Sequence, residues 1–97
     1  MTVSPRRTIR RKIDAEVILR RSLDQPYKVK LRDLSLNGCS VELVNHVQLG
    51  ERLWIKLPGL DSIEGFVRWE ENFRAGSDFL TPLHPAVFDM LLQKYED

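Results

Sequence analysis

The chain has a single cysteine, Cys39, so no internal disulfide can form. Its two histidines, His46 and His84, lie far apart, and no Cys-x-x-Cys or His-x-x-x-His pair occurs. A metal centre with the common ligand spacings is thereby excluded. No apolar run approaches the roughly 20 residues that span a bilayer. The basic N-terminus is not followed by an uninterrupted apolar stretch, so no signal peptide is expected. A lone thiol without an export signal fits a reducing, cytoplasmic setting. Aromatic residues make up only 8% of the chain and do not cluster, which counts against a stacking surface for single-stranded nucleic acid. No low-complexity tract or internal repeat is visible. No nucleophile–base pair or carboxylate pair stands out, so the chain does not read as an enzyme.

Ninety-seven residues make one domain with a modest core, and an apolar fraction of 42% is ordinary for a folded protein. Net charge is +1, but it is unevenly spread. Residues 1–21 hold seven basic residues against Asp14 and Glu16, while the remainder is net acidic. A positive potential this local suits a small anion better than a long polyanion.

The dominant period is two. Ile13, Ala15, Val17 and Leu19 alternate with Asp14, Glu16, Ile18 and Arg20. The same pattern recurs around Tyr27–Arg32, Cys39–Val44, Arg52–Leu57 and Ile63–Glu70, with a last short strand at about Ala75–Leu80. Asp24-Gln25-Pro26, Asn37-Gly38 and Pro58-Gly59 supply the turns, and both Asn37 and Gly38 tolerate positive φ. Six half-apolar strands predict an antiparallel sheet closed into a small barrel, since closure removes exposed edges. After residue 84 the period changes. Val87, Phe88, Leu91, Leu92 and Tyr95 form one helical stripe, with Pro85 at the first helical position. A helix over 84–95 is predicted to plug one barrel end or pack on its wall. Residues 1–12 read as a flexible basic arm and 13–97 as a single barrel domain.

Two stretches carry chemistry. The first, "RRTIRRKID", places Arg6, Arg7, Arg10, Arg11 and Lys12 ahead of the first strand. The second, "RDLSLNGCSVEL", spaces Asp33, Ser35 and Asn37 by two, so that in a strand they project to one side, with Gly38 following. Each has a plain structural reading. Arginines on an arm are commonly solvated, and Asp, Ser and Asn bond local backbone in turns without any ligand. Trp69 faces either outward, where it can stack on a base, or into the barrel or its rim. Cys39 reads as a small buried apolar residue. His46 and His84 read as loop and helix-start residues, and Asp78, Glu70 and Glu71 as surface charge.

Taken together, Arg6-x-x-x-Arg10 and, 23 residues after Arg10, Asp33-x-Ser35-x-x-Gly38 resemble the two-part signature of PilZ domains. The alternating strand after the arginines, "LG" before the Leu53 strand, "GFVRW" (Gly65 to Trp69), "GSDFL" (Gly76 to Leu80) and the final helix extend the resemblance over nearly the whole chain. Arg7-x-x-x-Arg11 has the same internal spacing, but the apolar residues three, five and seven positions past Arg10 favour the Arg6/Arg10 register. Arg7 and Arg11 then assist.

The resemblance implies a mostly β fold, a six-stranded antiparallel β-barrel of the split-barrel type with a C-terminal helix. It implies cyclic di-GMP as ligand, with no further cofactor. It also implies a downstream protein partner, with motility or exopolysaccharide control as the usual output. No nucleic-acid or membrane partner is implied. The expected ligand residues are Arg6, Arg7, Arg10, Arg11, Asp33, Ser35, Asn37, Gly38 and Trp69. Guanidinium groups fork onto phosphate and onto the O6/N7 edge of guanine. A carboxylate at Asp33 accepts from the N1–H and exocyclic amine of guanine, a donor pair that adenine lacks. Ligand would draw the arm against the Asp33–Gly38 face and create a new surface. The competing readings are a small barrel for single-stranded nucleic acid and a protein-interaction module without ligand.

Overall fold

The computed structural model describes residues 10–97. Six strands and one helix follow in order: β1 (Arg11–Arg21), β2 (Tyr27–Leu34), β3 (Gly38–Glu42), β4 (Arg52–Lys56), β5 (Ser62–Glu71), β6 (Arg74–Phe79) and α1 (Pro85–Tyr95). The strands pair antiparallel in the cyclic order β1-β2-β3-β6-β5-β4, and β4 returns to β1 to close the barrel. The expected fold class is therefore observed. β1 starts two residues earlier than its apolar period indicates. Arg11 and Lys12, assigned to the arm from sequence, pair with Leu34 and Asp33. Backbone pairing needs no apolar side chain, so polar residues at a strand's start leave no periodic signal. Arg10 precedes the strand, and residues 1–9 of the expected arm lie outside the described residues.

The inward residues are those the alternation selects. Ile13, Val17, Leu19, Val29, Leu31, Val41, Leu53, Ile55 and Val67 are buried in one cluster. Leu19, Leu31, Leu53 and Ile55 are essentially inaccessible, and burial of each contributes about 1.5–3 kcal/mol. Cys39 is also fully buried, and burial pushes its thiol up to about 12.

α1 begins where Pro85 and the cap predict. His84 is the N-cap, and its Nδ1 accepts the Ala86 N–H at 3.0 Å. Leu91 and Leu92 are buried, and Val87, Phe88 and Tyr95 pack partly against the core. The Leu83 N–H donates to the Leu36 carbonyl at 2.8 Å, and Glu96 bridges to Ile13. The helix thus closes the barrel end where β1 begins and the β2–β3 turn lies. Among the described residues no helix is long and apolar enough to cross a membrane.

Candidate functional site

A single cross-strand row organises the outer wall. Lys12 on β1 pairs with Asp33 on β2, Asp33 with Ser40 on β3, Ser40 with Gly76 on β6, and Gly76 with Trp69 on β5. Three register shifts border this row, between Lys12 and Ala15, Leu31 and Asp33, and Val67 and Trp69. In each the extra residue lies in the longer-stepping strand: β1, β2 and β5. A bulge re-aims the side chains that follow it. That is why Leu31 and Val67 are buried while Asp33 and Trp69, two residues on, face outward. Strict alternation would have kept Trp69 on the inward face with Val67.

Asp33 is the hub of the row. Its Oδ1 accepts from Arg10 Nη1 at 2.7 Å. Its Oδ2 accepts from Ser40 Oγ at 2.7 Å and lies 3.6 Å from Arg74 Nη2. Arg74 Nη2 also donates to Ser40 Oγ at 3.3 Å. The Nε of Arg74 is buried without a hydrogen-bond partner among the described residues. Beside Asp33 opens a polar cavity of about 280 Å³, lined by Lys12, Lys30, Arg32 and Arg74 with Ile13, Asp14, Asp33 and Asp97. Further along the row the Trp69 indole lies against Gly76. A Cβ at Gly76 would stand 2.0 Å from the indole Nε1, so only glycine admits this placement.

The β2–β3 turn is built by Ser35. Its Oγ accepts the N–H groups of Asn37 at 3.2 Å and Gly38 at 3.1 Å, and donates to the Gly38 carbonyl at 3.3 Å. Ser35 is buried, so this side chain is occupied by its own turn. Neither Asn37 nor Gly38 has positive φ. The turn relies on the serine oxygen rather than on left-handed backbone, contrary to the sequence expectation. Glycine is needed at 38 for space, because a Cβ there would stand 2.1 Å from the Ser77 carbonyl oxygen on β6.

The sequence-derived residues therefore separate. Arg10 and Asp33 meet directly, and Trp69 joins their row. Asn37 and Gly38 sit in the adjacent turn. Arg11 ion-pairs with Glu96, after the end of α1, instead of facing Asp33. Arg6 and Arg7 lie outside the described residues. Ser40, Arg74 and Gly76 were not anticipated. The Ser40 signal was present in the hairpin: a tight turn at 35–37 sets residue 40 opposite 33. Arg74 left no local signal, since its place depends on β6 closing against β3.

The profile of the PilZ domain family matches residues 4–95. The chain belongs to the PilZ domain family. PilZ domains are receptor domains for cyclic di-GMP. No curated protein matches the chain. The match spans the β-barrel and the helix, and both halves of the PilZ signature fall inside it. In this PilZ domain the two halves meet, among the described residues, at the Arg10–Asp33 ion pair.

Proposed function

We propose that this PilZ domain is a bacterial, cytoplasmic, non-enzymatic receptor whose Asp33 row binds cyclic di-GMP. The observation that carries the reading is the 2.7 Å pair between Arg10 and Asp33, which joins the two signature halves beside a polar cavity that Asp33 lines. Asp33 supplies the acceptor for a guanine Watson–Crick edge. Arg10, with Arg6 and Arg7, supplies forks for phosphate and for the O6/N7 edge. Arg74 adds a second guanidinium on the cavity wall. Trp69 offers a half-exposed ring on the same row for stacking. Asn37 and Gly38 border the site, while Ser35 holds the turn that shapes it. Ligand pockets are roughly 300–1,000 Å³, so the cavity takes part of a two-base ligand. The remainder would lie under the arginines preceding β1. Engaging those arginines on the ligand changes the surface offered to a protein partner, with motility or exopolysaccharide control as output.

Calorimetric titration with cyclic di-GMP, cyclic di-AMP, GTP and a short single strand tests this at about physiological salt. Selective, saturable binding of cyclic di-GMP that is lost in Arg10→Ala is expected. Asp33→Ala should reduce both affinity and the preference for guanine. Equal binding of all four anions, falling steeply with salt, would falsify the reading in favour of nonspecific charge.

A further inference from the structure

Ser40 lies on the outward row of β3, yet it is fully inaccessible to solvent. A polar residue on an outer wall with no exposure is covered by something, and here the cover is Arg74 and Asp33. The hydroxyl both donates and accepts. It donates to Asp33 Oδ2 at 2.7 Å and accepts from Arg74 Nη2 at 3.3 Å. The two oxygens of Asp33 consequently have different partners. Oδ2 is tied to the barrel wall through a buried serine. Among the described residues Oδ1 is held by Arg10 alone, whose side chain is 38% exposed. A neutral short donor in a sheet ladder is a rigid tether. An exposed arginine at the start of a strand is an exchangeable one.

We propose that Ser40 is a positioning residue for base selectivity. It fixes the plane of the Asp33 carboxylate so that Oδ1 faces the paired donors of guanine when Arg10 moves to the ligand. This rests on the cyclic di-GMP reading above. A carboxylate held in one plane matches a fixed pair of N–H donors. A carboxylate free to rotate accepts from any single donor, including the amine of adenine. Ser40 never touches the ligand; it acts through Asp33.

The test titrates cyclic di-GMP and cyclic di-AMP into wild type, Ser40→Ala, Ser40→Thr and Ser40→Cys, with Arg10→Ala as reference and a thermal melt of each. Ser40→Ala is expected to bind cyclic di-GMP about tenfold more weakly and to lose selectivity over cyclic di-AMP, while melting near wild type. Ser40→Thr keeps the hydroxyl and should restore selectivity. Ser40→Cys keeps the size, donates poorly and should resemble alanine, which preserves the comparison if threonine does not fit. Wild-type affinity and selectivity in Ser40→Ala, alongside lost binding in Arg10→Ala, overturns the inference and leaves the receptor reading standing. Equal weakening for both ligands without rescue assigns Ser40 a purely structural role and also overturns it. Absence of cyclic di-GMP binding by wild type overturns both.

Discussion

At the scale of single residues, the wall of the barrel is set by where side chains cannot be. Gly38 is buried, and the obstruction it avoids is the Ser77 carbonyl of β6, a backbone atom that cannot swing aside. Gly38→Ala should therefore destabilise the fold by about 3 kcal/mol or more, read from the midpoint of denaturant unfolding. An unchanged midpoint would show that β3 and β6 separate at little cost. Gly38 was legible as a glycine that mattered, from its place after Asp33-x-Ser35. The reason it matters was not legible, because β6 is nearly forty residues away in the chain. Cys39 was simpler. A small apolar-like residue in phase with Val41 belongs inside, and it is there.

At the scale of elements, two turns hold non-glycine residues in left-handed backbone. The β5–β6 turn uses Asn72 and Phe73, at φ of 52° and 58°, which matches the twist of a two-residue hairpin. The β1–β2 turn places Leu23 at φ 68°, and its side chain is fully exposed. Leu23 makes no packing contact that would offset a left-handed conformation costing about 1–2 kcal/mol. Glycine removes that strain but gains freedom in the unfolded chain. The balance favours Leu23→Gly by about 0.5–1 kcal/mol, seen as a rise in melting temperature of several degrees. A lower melting temperature would mean that Leu23 stabilises the turn by means other than packing. The Asp24-Gln25-Pro26 signal located this turn correctly. Leu23 itself gave no warning, since leucine is not a turn residue.

At the scale of the whole molecule, closure depends on the β1–β4 seam, which joins strands some thirty residues apart. Arg21 at the end of β1 grips Glu51 just before β4, with Nε–Oε2 at 2.5 Å and Nη2–Oε1 at 3.1 Å. The Gln48 N–H donates to Glu51 Oε1 at 2.9 Å. Burial pushes the Glu51 carboxyl up. The Arg21 and Gln48 hydrogen bonds outweigh it and hold the carboxyl below its usual range. A carboxylate with a lowered folded value stabilises the fold above its unfolded value, near 4.3. That contribution is lost as pH falls through the folded value. Acid unfolding should thus begin below about pH 4.3 for this seam. Glu51→Gln should lower stability at pH 7 by about 1–3 kcal/mol and flatten the acid limb of the stability curve. An unchanged acid limb would place the pH sensitivity in other carboxylates.

The sequence by itself determined the barrel, the helix and the site's two signature halves. These depend on periods of two and 3.6, on turn chemistry and on short spacings, all of which are local. The Arg10–Asp33 meeting also follows from sequence once the first two strands are taken as a hairpin. Only the tertiary structure decided which residues complete the site. Bulges in β2 and β5 turned Asp33 and Trp69 onto the row that Lys12 already takes by alternation, and a bulge is a one-residue slip that hydropathy does not record. Arg74 and Gly76 reached Ser40 because β6 closes against β3, a pairing across more than thirty residues. Arg11 was drawn to Glu96 instead of to Asp33 because α1 ends beside the start of β1. Alternation along a strand fixes which face a residue takes, and closure fixes which residues that face shares.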